Sequence, residues 1–83
     1  MLLKKKYMQR LTECPKGCRV KVRRLYAQGA LKQRLVSFGI MKGTEIEVLE
    51  FAPAKSTVEI KIGRMRLALR NEEARMIEVD QNA

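Results

Sequence analysis

Histidine and tryptophan are absent from this 83-residue sequence, which has only two phenylalanines and two tyrosines. It also contains no serine nucleophile motif and no glycine-rich phosphate loop, so the groups that acid–base or covalent catalysis needs do not converge. We therefore predict that the protein is not an enzyme and has no catalytic residues and no cofactor. The shortage of aromatic side chains also counts against a stacking platform for single-stranded nucleic acid.

Cysteine is scarce as well. Cys14 and Cys18 are the only two, and they flank a Pro-Lys-Gly turn. A zinc site built from thiolates usually needs four ligands, and neither histidines nor a carboxylate cluster supply the others, so no metal site is predicted. Cys14 is interpreted as a small apolar core residue. A redox pair, or a metal that bridges two chains through these thiols, is the alternative.

Long apolar runs are missing. None approaches the roughly 20 residues of a membrane-spanning helix. Met1–Leu3 is followed at once by Lys4–Lys6 rather than by the apolar segment of a signal peptide. These features predict a cytoplasmic protein whose cysteines stay reduced.

Positive charge is abundant but unevenly distributed. The net charge is +9; residues 1–34 contain eleven lysines and arginines and one acid, whereas residues 35–83 contain seven basic and eight acidic residues. A half this basic is attracted to a polyanion or to an acidic protein surface. The alternative is an ordinary solvated face on a soluble domain.

A short helix followed closely by a strand is the central feature of the pattern. Leu31, Leu35 and Phe38 recur at i, i+4 and i+7, which places them on one helix face. Gly39 is typical of the left-handed residue that ends a helix, after which the chain can fold back on the last turn. After a tight turn, the alternation of polar and apolar residues in Glu45–Val48 predicts a strand.

A β-hairpin is predicted further along the chain. Two alternating segments, Val58–Ile62 and Met65–Leu69, flank Gly63-Arg64, a Gly-X pair typical of a type II′ turn. A slip of one residue would expose every apolar side chain of both segments, so the pattern predicts one register. In that register Ile62 lies opposite Met65, Ile60 opposite Leu67, and Val58 opposite Leu69.

Together these patterns predict one small, mostly β domain. Five short strands, with one short α-helix between the first and the second, are typical of an SH3-like barrel. The predicted boundaries are a flexible basic arm at residues 1–10, the domain at 11–80 and a tail at 81–83. The strands are expected at Arg19–Arg23, Glu45–Phe51, Val58–Ile62, Met65–Arg70 and Ile77–Val79.

Five residues on the helix and the first strand are candidates for binding a partner. Val36 points roughly 140° away from the start of the apolar helix face, beside Lys32, so it is predicted to be exposed or covered by a partner. Arg34 flanks that face, where its guanidinium would bond loop carbonyls or meet a partner. Lys21 and Arg23 lie on the solvent side of the first strand as part of a basic stripe.

A set of short motifs follows in a fixed order through residues 11–80. They are Gly29-Ala30-Leu31-x-x-Arg34-Leu35, Gly39-Ile40, Gly43-Thr44-x-Ile46-x-Val48, Ala52-Pro53, Gly63, Leu67-Ala68-Leu69-Arg70, Glu73-Ala74 and Ile77-x-Val79. In this order they resemble the FeoA family of small cytosolic proteins of ferrous iron transport. The resemblance implies an SH3-like barrel that acts with the membrane transporter FeoB, whose cytosolic part carries a GTP-binding domain. It does not imply that the chain itself binds iron.

The predicted function is therefore that of an accessory protein of ferrous iron uptake. It would dock on the cytosolic side of FeoB, at the inner face of the membrane, and modulate the transporter. A nucleic-acid-binding SH3-like barrel of ribosomal type is the alternative, favoured by the basic N-terminal half and opposed by the missing aromatics. A peptide-binding SH3 adaptor is a second alternative, although its groove needs clustered Tyr and Trp. A weak contact of Lys4–Lys6 with anionic lipid also stays open.

Overall fold

The computed structural model describes residues 9–81, which form one six-stranded antiparallel sheet with two short helices. The strand order in space is β1-β6-β2-β3-β4-β5. The strands are β1 Gln9–Arg10, β2 Arg19–Leu25, β3 Glu45–Phe51, β4 Thr57–Ile62, β5 Met65–Arg70 and β6 Ile77–Gln81; the helices are α1 Gly29–Ser37 and α2 Asn71–Ala74, with 3₁₀ turns at Leu11–Glu13 and Pro53–Lys55.

The core follows from the two-residue period of the strands. Alternate residues of β2, β3 and β4 are buried, and in β6 the apolar Ile77 and Val79 are buried on either side of Glu78, so each strand contributes one apolar face to a common interior. Leu35 of α1 is fully buried, and Leu31 and Phe38 pack beside it against the core, as the helical spacing predicts. The buried strand residues are Val20, Val22, Ile46, Val48, Val58, Ile60, Leu69, Ile77 and Val79.

The mostly β class is confirmed, but the strand count and the closure of the sheet differ from the prediction. A sixth strand, β1, pairs through only two residues, Gln9 with Val79 and Arg10 with Glu78, which is too short to leave a periodic signal. The sheet is open in the described residues, with β1 and β5 at its two ends. The two end strands do not pair with each other. Helix α2 lies between them and contacts both β5 and the 3₁₀ turn that follows β1.

Helix α1 lies between the same two strands as predicted, although these strands are the second and third along the chain rather than the first and second. The two strands predicted on either side of the helix are β2 and β3, because β1 precedes them. Gln9 and Arg10, assigned by the sequence to a flexible arm, are already paired, and Gln81, assigned to the tail, ends β6. Residues 1–8 of the predicted arm, which include Lys4–Lys6, and residues 82–83 lie outside the described part of the chain.

The β4–β5 hairpin has the predicted register. Gly63 has a φ of +59° whereas Arg64 has no positive φ, as a type II′ turn requires. On the solvent side Lys61 lies opposite Arg66, and Glu59 lies 3.9 Å from the Arg66 guanidinium. The observed pairs include Ile62 with Met65, Ile60 with Leu67 and Val58 with Leu69.

The first 3₁₀ turn and α2 begin in the same way. The backbone N–H groups of Arg10 and Arg70, which precede these two elements, are each capped by a glutamate side chain. Glu13 and Glu73, each three residues later, accept these hydrogen bonds at 2.9 Å. Within residues 9–81 neither helix is long and apolar enough to cross a membrane.

Candidate partner-binding groove

An open groove of about 390 Å³ lies between the outer side of α1, the end of β2 and the turn that leads into β3. Four of its seven lining residues are basic, three are apolar, and none is acidic. We call this surface the basic groove; it is lined by Arg23, Arg24, Leu25, Lys32, Val36, Met41 and Lys42.

The α1 wall of the groove consists of Lys32 and Val36. They are four residues apart and therefore neighbours on the same helix face. Val36 is exposed, at 38%, while the adjacent Leu35 is completely buried. The helical wheel thus places both residues correctly, with Val36 on the side that leaves the core.

The end of α1 directs the chain toward the second wall. Gly39 has a φ of +91°, the left-handed conformation that favours glycine. Its N–H donates to the Val36 carbonyl at 2.8 Å, and the N–H of Ile40 donates to the Leu35 carbonyl at 3.0 Å. This is the Schellman pattern, and it buries Ile40 against the core.

A four-residue turn from Met41 to Thr44 forms the second wall. The N–H of Thr44 donates to the Met41 carbonyl at 2.9 Å, and Gly43 supplies the positive φ of +92°. The Thr44 hydroxyl donates to the Gly39 carbonyl at 2.8 Å and accepts from the Met41 N–H at 3.2 Å. The N–H of Gly43 donates to the Val22 carbonyl at 2.8 Å, and the N–H of Val22 donates to the Thr44 carbonyl at 2.8 Å, so the turn is tied to β2. Met41, which is 46% exposed, is therefore held on a fixed backbone.

The third wall is a β-bulge in β2. Val22 pairs with Val79 and Arg24 with Glu78, which leaves Arg23 as the extra residue. A bulge shifts the alternation of side chains by one position, so two consecutive arginines are exposed here. Arg23 lies 3.3 Å from an Asp80 carboxylate oxygen and 3.9 Å from one of Glu78.

Arg34 has a different role from its neighbours on α1. Its Nε lies 2.9 Å from Oε2 of Glu73, whose side chain is only 9% exposed, while Oε1 of the same carboxylate caps α2. The guanidinium also lies 5.2 Å from the centre of the Phe38 ring. In place of a bond to loop carbonyls, which was one of the two alternatives for Arg34, the guanidinium forms this ion pair, which joins α1 to α2 outside the groove.

The structure brings together three of the five predicted partner-binding residues, namely Arg23, Lys32 and Val36. Lys21 is exposed on β2 but does not line the groove, and Arg34 is paired elsewhere. Sequence reasoning missed four lining residues. Arg24 and Leu25 had a signal in the sequence, because the Arg23-Arg24 doublet interrupts the strict alternation of the strand and indicates a bulge. The missed residues are Arg24, Leu25, Met41 and Lys42.

The two cysteines lie in the loop between the first 3₁₀ turn and β2. Cys14 is buried, and burial together with the neighbouring Cys18 raises the pKa of its thiol to about 12. A thiol that holds its proton so strongly is a poor nucleophile at neutral pH. Among residues 9–81, no group of three or more Cys, Asp or Glu side chains is placed to hold a metal ion.

Residues 9–81 match the family model described as the FeoA domain. A curated relative, the Fe(2+) transport protein A of Helicobacter pylori J99, is 41% identical over 54 residues, which cover 65% of this chain and 69% of that protein. A second, from Porphyromonas gingivalis, is a fusion of Fe(2+) transport protein A with the transporter FeoB. It is 31% identical over 71 residues, 86% of this chain but 8% of the fusion.

The fold is shared with solved structures of the same kind. The crystal structure of FeoA from Stenotrophomonas maltophilia, a zinc complex described as a prokaryotic SH3 domain protein, superposes with a TM-score of 0.75 at 29% identity. The match covers 87% of this chain and 89% of that protein. The open six-stranded sheet described above is therefore of the SH3-like kind.

Proposed function

The chain belongs to the FeoA family, and we propose that it is an accessory protein of ferrous iron uptake that binds the FeoB transporter and modulates it. The observation that carries this proposal is the P. gingivalis fusion, whose matching part aligns with most of this chain. Fusion keeps two modules at high effective concentration, which is useful when they must associate. A separate chain has to supply the same association through an interface of its own.

The surface of the protein suits a role in binding rather than in catalysis. The basic groove is open and lined by cations and aliphatic side chains, with no paired acid and base positioned to transfer a proton. Positive charge of this kind speeds association with an acidic protein surface, while apolar contacts slow dissociation. We place the protein in the cytoplasm, on the cytosolic side of FeoB, where the GTP-binding domain of the transporter would be its partner.

Direct binding to the full-length transporter tests the proposal. FeoB from the same organism would be reconstituted in lipid nanodiscs and immobilised, and the full-length chain would be titrated at physiological salt. We expect saturable binding and a change in the rate of GTP hydrolysis by FeoB. Empty nanodiscs of the same lipid are the control, and equal binding to them would assign the signal to lipid contact.

Absence of binding to nanodiscs that contain FeoB would overturn the proposal. The alternative would then be tested with an RNA oligonucleotide, for which a nucleic-acid-binding protein shows a steep loss of affinity as salt is raised. A protein that contacts few phosphates shows only a shallow dependence. Titration with FeoB nanodiscs and titration with RNA thus distinguish a transporter accessory protein from a nucleic-acid-binding protein.

A further inference from the structure

The basic groove combines exposed apolar side chains with unpaired cations. Residues 9–81 expose four large apolar side chains, and two of them, Val36 and Met41, are in the groove. Arg24, Lys32 and Lys42 line the same groove, and within the described residues they form no ion pair. Outside the groove, Lys16, Arg34 and Arg66 each have a carboxylate within 4 Å. Arg23, the fourth cation of the groove, is paired with Asp80 and Glu78, so three of the four groove cations are left without a carboxylate partner among residues 9–81.

We propose that the basic groove binds an acidic segment of a partner protein. Apolar side chains of that segment would lie on Val36 and Met41, and its carboxylates would face Arg24, Lys32 and Lys42. The proposal rests on the proposed function only in naming FeoB as the protein that carries the segment. The chemistry of the segment follows from the groove itself, because a groove lined by cations and apolar side chains is complementary to a segment that carries carboxylates and apolar anchors.

The groove is prepared to receive such a segment without rearrangement. Met41 is fixed by the Thr44 hydroxyl and by the turn bond between Met41 and Thr44, and the turn is bonded to Val22 of β2. Val36 lies on a helix whose end is fixed by the Gly39 bond pattern. A partner therefore orders exposed side chains of the groove but not its backbone, which lowers the entropic cost of binding.

The same features disfavour other occupants. A small-molecule site encloses most of its ligand, whereas this groove is open along its length. A single-stranded nucleic acid would use aromatic rings on which bases stack, and no aromatic side chain lines the groove. A phosphate group would bind the cations but would make no use of the exposed Val36 and Met41. A protein segment can contact the cations and the apolar side chains together.

The first test compares two methionines of equal exposure. Met41 in the groove is 46% exposed, and Met65 at the tip of the β4–β5 hairpin is 42% exposed. We expect Met41→Asp to weaken binding to FeoB nanodiscs by at least about tenfold, as loss of a central apolar contact does. Met65→Asp introduces the same charge outside the groove and should change the affinity by less than about twofold.

The second test compares two pairs of lysines. The double variant Lys32→Glu/Lys42→Glu reverses charge in the groove, and Lys55→Glu/Lys61→Glu makes the same change in net charge at exposed positions elsewhere. The groove variant should associate at least about tenfold more slowly at low salt, and the difference should shrink as salt is added. Equal slowing by both variants would show that only net charge matters and would overturn the proposal.

A third measurement tests the groove independently of FeoB. The isotope-labelled chain would be titrated with a synthetic helical peptide that has leucines at i, i+4 and i+7 and glutamates elsewhere, with a scrambled peptide of equal charge as control. We expect the methyl signals of Val36 and Met41 to shift with the first peptide only. Methyl groups report contact directly, so a variant that fails to fold cannot confuse this readout.

The outcomes separate the proposal from the proposed function. If FeoB binds and all groove variants bind like the wild type, the groove proposal is wrong and the function stands. If FeoB does not bind, the proposed function fails, and the peptide titration alone decides the groove. No methyl shifts with the peptide would then overturn the proposal. Binding of RNA at these same residues, tighter than the peptide, would reassign the groove to a nucleic acid.

Discussion

The two sides of α1 carry similar residues in different environments. On one side Leu35 is buried and Arg34 is bonded to a nearly buried carboxylate, so both are part of the packing between α1 and the rest of the domain. On the other side Val36 and Lys32 are exposed and have no such partners among residues 9–81. An aliphatic residue and a cation occur on each side. The comparison shows that residue type alone does not separate structural from binding positions; the partner across the interface does.

Glu73 explains why Arg34 falls on the structural side. In Arg10-x-x-Glu13 and in Arg70-x-x-Glu73 the glutamate carboxylate accepts a hydrogen bond from the arginine backbone N–H and so caps the start of the turn between them. Only Glu73 has a second acceptor oxygen directed at α1, where Arg34 meets it. An acid fixed by capping is a well-oriented partner for a guanidinium, since its own conformational freedom is already lost.

The largest expected effect comes from the core side of the helix. Leu35→Ala removes a completely buried side chain and should lower the free energy of unfolding by about 3 kcal/mol, within the range for leucine truncation in a core. Urea denaturation would measure it. Val36→Ala, at the next residue, is the matched control and should cost less than about 0.5 kcal/mol. Similar losses at both positions would erase the distinction between the two sides of α1.

The second effect isolates the Arg34–Glu73 contact. Glu73→Ala removes both the cap of α2 and the ion pair and should cost about 2 kcal/mol, whereas Glu73→Gln keeps an acceptor for the Arg70 N–H and should cost about half as much. Because half of the Arg34 side chain is exposed, Arg34→Ala should cost only about 1 kcal/mol.

A double-variant cycle sharpens this result. Arg34→Ala combined with Glu73→Gln should be less destabilising than the sum of the two single changes, since each removes the same contact. Strict additivity would mean that Arg34 and Glu73 do not stabilise one another, which would contradict the ion pair between α1 and α2.

Sequence pattern predicted the elements that obey strong local rules. The β4–β5 register follows from alternation combined with a glycine turn, and the end of α1 follows from Gly39 and Ile40. Both depend on interactions between residues close in the chain. The open sheet and β1 could not be predicted in the same way, because β1 is two residues long and is defined only by its pairing with Val79 and Glu78.

The candidate site shows the same limit. Helical geometry correctly placed Lys32 and Val36 on one exposed face. It could not show that the turn at Met41 lies across from them, since that depends on hydrogen bonds from Thr44 and Val22 that join three elements. Nor could it show that Arg34 would meet Glu73, which is 39 positions away in the sequence.

A smaller effect tests the connection between the two sides. Gly39→Ala places a side chain at a φ of +91°, and since nothing lies within 4 Å of the new Cβ, the cost is that of the backbone conformation alone, about 1 kcal/mol. Gly39→Asn should cost less, because asparagine tolerates this region better. Thermal unfolding of both variants would measure the order. Equal costs would contradict a purely conformational origin.

The smallest effect on stability is expected at the outer side of the helix. Val36→Ser exchanges residues of similar helix propensity at an exposed position and should change the free energy of unfolding by less than about 0.5 kcal/mol. If the groove binds an apolar anchor, the same variant should weaken binding to FeoB nanodiscs about fivefold, because it removes apolar contact area from the centre of the surface. A stability loss above about 1 kcal/mol with unchanged affinity would reverse the assignment and make Val36 a packing residue of the groove wall. Only the combination of normal stability and weak binding keeps the two sides of α1 distinct.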